Sequence, residues 1–291
     1  MRPYILQALL AQLVNPSETA NDSHVNLWWT DNGQRAGSFN GHNGAVWTVD
    51  ISYDSSTLLT GAGDATARLW SMHSGEELFR FRFHEPCRAA KFAVGEHMAA
   101  LTTDPFMNEV SAIRIVNIAA DPAEQSAEVV RSMTGPRGRI ARVEWLDENR
   151  VLLSASEDGF VRRWDVETGK CVLERQIHEK HIMDLQTLEV MKTYQSTVPV
   201  NSAALSPIFD HVLIGGGQEA SQVTTTSSRA GRFEARFFHK IYLDEFANVK
   251  GHFGPINAVA FSPDGTMFAT GGEEGYVRLH HFDADYFSLK L

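Results

Sequence analysis

The chain has 291 residues, 43% of them hydrophobic, which is enough apolar material for an ordinary globular core. Its 26 basic and 36 acidic residues leave a formal charge of −10, which argues against direct binding to nucleic-acid phosphates, because that needs clustered Lys and Arg. Two cysteines, Cys87 and Cys171, are too few for a disulfide framework and point to a reducing, cytoplasmic setting; no apolar run is long enough to span a membrane as a helix.

At the N-terminus, Tyr4–Val14 is apolar but is interrupted by Gln7 and Gln12 and preceded by one Arg. It is read as an edge strand or short helix, not as a signal peptide. The sequon Asn21-Asp22-Ser23 is expected to stay idle in a reducing compartment. A fragment ending in Trp28 follows, and then a repeat begins. Gly41–Trp70, Gly135–Trp164 and Gly251–His280 overlay without a gap. His42, Thr60, Asp64 and Trp70 in the first become Pro136, Ser154, Asp158 and Trp164 in the second. In the third they become His252, Thr270, Glu274 and His280. A fixed period of this kind marks a repeat array.

Within a unit, the short apolar runs Val46–Ile51, Leu58-Leu59 and Ala67–Leu69 are split by turn residues at Asp54-Ser55-Ser56, Gly63-Asp64 and Ser74-Gly75. A unit carrying about four such runs predicts a four-stranded antiparallel sheet. Phe83–Asn117 is a weaker copy headed by His84, with Ile113–Ile118 as its expected third strand. Further heads fall at His178 and near Ser196, where Pro199–Gly217 overlays Pro255–Glu273.

With a Gly-His start and a Trp-Asp-like end, these units bear the signature of WD40 repeats, which predicts an all-β propeller. Counting the Trp28 fragment and the heads at His42, His84, Pro136, His178, Ser196 and His252 gives seven blades in a single domain over residues 1–291. The first and fifth blades are expected to be incomplete. The interval from His178 to Ser196 is less than half the usual one, and the first unit would need a head before Met1. The sixth unit is long, with an insertion around Gln218–Phe238. Pro3–Leu10 is the expected strand that completes the sheet begun by Gly251–His281, removing a free edge.

The combination of His42, Thr60 and Asp64, with Ser154 and Asp158 elsewhere, invites a nucleophile–base–acid reading. The repeat argues against it: Pro136 replaces the base while Ser154, Asp158 and Trp164 persist, and a triad cannot lose its base. The competing reading is a structural hydrogen-bond network of His42, Thr60, Asp64, Trp70, Ser154, Asp158, Trp164, His252, Thr270 and Glu274. His280 in place of Trp is expected to alter the chain in the last unit. His178-Glu179-Lys180-His181 has one residue too few for a zincin motif. His280 and His281 point to opposite faces of a strand. Gly215-Gly216-Gly217 lacks the rest of a phosphate loop and is read as a strand end where backbones approach closely. No catalytic residue, cofactor, metal or small-molecule substrate is expected.

Several segments in one order carry a closer resemblance: GGGQEA at Gly215–Ala220, VTTTS at Val223–Ser227, FEARFFH at Phe233–His239, VKGHFGPIN at Val249–Asn257, GGEEGYVR at Gly271–Arg278 and FDADYF at Phe282–Phe287. Upstream, GHNGAVW at Gly41–Trp47 and VNSAALSP at Val200–Pro207 fit the same pattern. Together they resemble the subunit I family of eukaryotic translation initiation factor 3, also described as TGF-β-receptor-interacting protein. The chain departs from that family where Ala8–Asp22 replaces the early first repeat and where His178–Gln186 runs almost at once into Thr187–Tyr194. Both gaps fall inside blades, the pattern of a skipped exon or a faulty gene model.

The resemblance implies a non-catalytic scaffold that contacts subunits B and G of the factor, docking a C-terminal helical segment of the former. It also implies support for assembly of the 43S pre-initiation complex and scanning of messenger RNA. Contact with the 40S ribosomal subunit and with mRNA would be indirect, and no membrane is involved. The implied partner face lies around the fifth and sixth blades, with Asp184 and Gln218 as contact residues. The family's other name implies a second reading, a signalling adaptor that binds a receptor kinase. A third is a chain that folds poorly because its shortened blades expose strand edges.

Overall fold

The computed structural model describes residues 23–29, 32–107, 109–177, 181–183, 186–194, 199–217 and 233–288. Almost all ordered structure is antiparallel strand. β1 (His24–Trp28) and β2 (Arg35–Asn40) form a two-stranded sheet. Three four-stranded meanders follow. They are β3 (Val46–Ile51), β4 (Thr57–Ala62), β5 (Thr66–Ser71) and β6 (Glu77–Arg82); β7 (Cys87–Phe92), β8 (Met98–Thr103), β9 (Ala112–Asn117) and β10 (Val129–Thr134); and β11 (Ile140–Leu146), β12 (Val151–Ser156), β13 (Phe160–Asp165) and β14 (Cys171–Gln176).

β15 (His181–Met183) and β16 (Val190–Thr193) make a second two-stranded sheet. β17 (Val200–Leu205), β18 (His211–Gly216), β19 (Glu234–His239) and β20 (Glu245–Lys250) complete a fourth meander. The last sheet has three strands, β21 (Ile256–Phe261), β22 (Met267–Gly272) and β23 (Val277–His281), before the short helix α1 (Ala284–Ser288).

The architecture is the all-β WD40 propeller type, but among the described residues five sheets, not seven, have the three or four strands of a blade. The sheets at the expected first and fifth positions have two strands among the described residues. The segment around His84, read as a weak copy, is a complete four-stranded sheet whose third strand is Ala112–Asn117. Glu234–Phe238, assigned above to an insertion, belongs to strand β19. The heads His178 and Ser196 and the N-terminal strand Pro3–Leu10 lie outside the described residues.

The sequence pattern explains the strands. The first strand of every blade-sized sheet carries a bulge near its start, at Val46/Thr48, Cys87/Ala90, Ile140/Arg142, Val200/Ser202 and Ile256/Ala258. A bulge increases the local twist of the strand. Second strands such as Thr57–Ala62 are buried along nearly their whole length, with β7 of the next sheet packed against β4.

By contacts the chain divides into two compact units, Asn21–Leu27 with Gly37–Thr193, and Trp28–Ala36 with Tyr194–Leu291. In the first, β3 packs beside β7 and β7 beside β11. Its core lies between sheets. Leu59, Leu69, Phe81, Phe92 and Leu101 fill one interface, and Ile113, Met133, Ile140, Leu152 and Trp164 the next. In the second unit, β17 packs beside β21, and Leu213, Phe237, Ile256, Val259 and Phe268 form the core.

Candidate functional site

The repeated polar residues meet at one end of each sheet that has them. In the β3–β6 sheet, His42 sits in the turn before β3, Thr60 on β4, Asp64 in the β4–β5 turn and Trp70 on β5. Trp70 Nε1 donates to Thr60 Oγ1 at 2.9 Å, Thr60 donates to His42 Nε2 at 2.7 Å, and His42 Nδ1 donates to Asp64 Oδ2 at 3.0 Å. Asp64 also accepts from the Thr66 hydroxyl at 2.6 Å, the Asn43 amide at 3.0 Å and Arg68 at 3.2 Å. Burial pushes the Asp64 carboxyl up, but the hydrogen bonds from His42, Thr66 and the Asn43 amide outweigh it and hold the group below the usual carboxylate range.

The β11–β14 copy keeps part of this string. Trp164 Nε1 donates to Ser154 Oγ at 2.9 Å, and Asp158 accepts from the Arg137 amide at 3.0 Å and pairs with Arg162 at 2.8 Å. Pro136 has no imidazole to bridge them, so the two halves stay separate. In the last sheet, His252 Nδ1 donates to Glu274 Oε1 at 2.5 Å and Thr270 donates to His252 Nε2 at 2.8 Å. His280 Nε2 supplies the donor to Thr270 at 3.2 Å. The substitution of Trp by His280 therefore leaves the string closed, with an imidazole N–H in the place of an indole N–H.

The order hydroxyl–imidazole–carboxylate resembles a nucleophilic triad. The Thr60 hydroxyl, however, is completely buried and already accepts the Trp70 N–H, so no substrate atom reaches it. The arrangement joins a turn and two strands of one sheet and satisfies polar groups that would otherwise be buried without partners. Sequence reasoning missed the arginine that extends it. Arg68 joins Asp64 to Glu77 on the fourth strand at 2.7 Å, and Arg162 joins Asp158 to Glu174 at 3.1 Å. The signal was present as an Arg four positions after the Asp in both copies.

Asp184 and Gln218 lie outside the described residues, as do His178–Lys180 of the zincin-like string. Among the described residues, no group of three or more His, Cys, Asp or Glu could hold a metal ion, and no helix is long and apolar enough to cross a membrane. Gly215 and Gly216 end β18 in close contact. A Cβ on Gly215 would lie 2.6 Å from Val259 Cγ1 and 2.7 Å from Ile256 Cγ2. Beside the last sheet runs a groove of 520 Å³, lined by Phe237, Phe246, Val249, Phe268, Phe282 and Tyr286 among others.

Comparison with known proteins fits this geometry. The model of the WD domain, G-beta repeat, matches residues 33–71, 127–165 and 244–281. Eukaryotic translation initiation factor 3 subunit I of Bombyx mori is 38% identical, covering 92% of this chain and 89% of that protein. The proteins of the same name from Danio rerio and Taeniopygia guttata are 38% and 39% identical, each covering 94% of this chain and 91% of theirs. The chain belongs to the eukaryotic translation initiation factor 3 subunit I family. A chain in the crystal structure of the mitotic checkpoint complex superposes with a TM-score of 0.72 at 15% identity, covering 89% of this chain and 82% of the other, a likeness of fold alone. Among the described residues, this subunit I family member has two closed His–hydroxyl strings, and a third copy is split at Pro136.

Proposed function

We propose that the chain is a non-catalytic scaffold subunit of eukaryotic translation initiation factor 3, acting in translation initiation in the cytoplasm. The observation that supports this most directly is a match to a relative of that name along 92% of the chain. On this reading the chain supports assembly of the 43S pre-initiation complex and recruitment and scanning of messenger RNA, contacting the 40S subunit and mRNA only through the complex. Its protein partners are subunits B and G, and its charge of −10 suits basic partners better than RNA. Asp184 and Gln218 are the contact residues this reading nominates.

The His–hydroxyl–carboxylate strings act as structural ties, not as catalysts. The two-stranded sheets β1–β2 and β15–β16 stand where a seven-bladed reading puts its shortened first and fifth blades. Purified chain mixed with purified subunits B and G tests the scaffold reading. Co-elution of all three on gel filtration is expected. Failure to retain either of the two overturns it, and co-elution with a purified receptor kinase added in their place would favour the adaptor.

A further inference from the structure

In the overlay of the three clear repeats, Arg278 on β23 takes the position of Arg68 and Arg162. It is also held in the same way: its side chain lies against Gly251, as that of Arg68 lies against Gly41. Its partners, however, are gone. Arg68 is bonded to Thr66, Asp64 and Glu77, and Arg162 to Ser156, Asp158 and Glu174. Around Arg278, Tyr276 replaces Thr66, Gly272 replaces Ser156 and Glu274 replaces the aspartate.

The longer Glu274 side chain makes no hydrogen bond to Arg278, and its Oε2 is itself buried without a partner. Its Oε1 accepts from His252 and from the Phe253 amide at 3.4 Å, while Oε2 tucks into the space over Gly272 that a Cβ would fill. No fourth strand pairs with β23 among the described residues, and residues 1–10 contain neither Asp nor Glu, so a pairing strand from that segment would bring no carboxylate. Arg278 makes no ion pair among the described residues, and its buried Nε has no hydrogen-bond partner. A guanidinium fixed in place with a buried N–H unsatisfied is costly unless an acceptor arrives.

The neighbours suit a protein partner. Tyr276 is 62% exposed, and the Arg278 guanidinium lies 5.7 Å from its ring centre. Phe253, 83% exposed, sits in the adjoining turn, which is tied to the first by the Glu273 amide donating to Pro255 O at 2.9 Å. An arginine with exposed aromatics is the composition of an interface anchor point. We propose that Arg278, Tyr276 and Phe253 form a docking site for an acidic segment of a partner protein, in which a carboxylate pairs with Arg278 and an adjacent apolar side chain packs on the two rings. The site is independent of the contacts with subunits B and G proposed above.

The test uses the full chain and two blocked peptides, Glu-Leu-Glu-Leu and its neutral counterpart Gln-Leu-Gln-Leu. The Nε–Hε resonance of Arg278 should shift on adding the acidic peptide, and Kd by calorimetry should be about tenfold weaker for the neutral peptide and for Arg278→Gln. Tyr276→Ala should weaken binding as well, and it keeps the test open if Arg278→Gln fails to fold. Equal binding of the two peptides, an unshifted Arg278 resonance at saturation, or unimpaired binding by the folded variants would overturn the proposal.

Discussion

The indole of Trp70 donates to the hydroxyl of Thr60 at 2.9 Å, and that hydroxyl is in turn 2.7 Å from His42 Nε2. Thr60 is thus the link on which both larger side chains depend. Replacing it with Val keeps the shape but leaves a buried indole N–H and a ring nitrogen unsatisfied, at a cost of about 2 kcal/mol. Ser154→Ala, in the copy without a histidine, strands only the Trp164 N–H and should cost about 1 kcal/mol. Urea unfolding of the two variants checks this. A Thr60→Val chain no less stable than Ser154→Ala would contradict the role given to the string.

Histidines in the C-terminal unit should make stability fall in mild acid. Burial, with the nearby charge of His239, lowers the His211 pKa, while Asp210 opposes the shift; His211 Nδ1 accepts from Tyr286 of α1 at 2.8 Å. Burial, with the charges of His252 and Arg278, lowers that of His280. A group whose folded pKa is depressed is protonated first in the unfolded chain. Its stabilisation is present above the unfolded value of about 6.5 and is lost as pH falls through the folded value. Urea midpoints at about pH 7.5 and 5 should therefore differ, with less difference in His211→Phe. An unchanged difference in that variant would exclude His211 as a source.

The two cysteines should separate cleanly in a thiol-labelling experiment. Cys87 is fully buried, and burial, together with the charges of Asp104 and Asp64, pushes its thiol up to about 12. Cys171 lies exposed on the outermost strand β14. Because the thiolate is the reactive form, native protein should take up label at Cys171 alone, and Cys87 should react only on unfolding. Rapid native labelling of Cys87 would show that the interface between the β3–β6 and β7–β10 sheets opens readily.

Gly215→Ala should destabilise the chain by about 1–3 kcal/mol, because its methyl group would press on Val259 and Ile256 in the adjoining sheet. Thermal unfolding reads this directly. No loss of stability would show that β18 and β21 can move apart without penalty.

The apolar runs at Val46–Ile51, Leu58-Leu59 and Ala67–Leu69 and the turn residues between them were enough to place three strands of the β3–β6 sheet, while the fourth, Glu77–Arg82, was expected only from the count of runs per unit. The β7–β10 sheet was harder to see. It dispenses with the His–hydroxyl string: Arg88 pairs with Asp104 at 2.7 Å and stacks on Trp47 at 4.1 Å, while Arg114 pairs with Glu85 at 3.2 Å. Those partners are far apart in sequence and follow no repeat spacing. Nor was the role of His280 legible, since only its distance to Thr270 reveals that an imidazole can replace an indole as donor. Head spacing did single out the first and fifth units as short, and the sheets described there have two strands each, but spacing alone could not say how many strands each would keep.

The central claim, that this chain works as a scaffold in translation initiation, is tested most directly by sedimentation. Tagged full-length chain expressed in eukaryotic cells should migrate through a sucrose gradient with the 43S pre-initiation peak, together with subunits B and G, and Thr60→Val should reduce its abundance there in proportion to its loss of folded protein. A chain that remains in the light fractions while the other subunits of the factor sediment with the 40S ribosomal subunit would contradict the account.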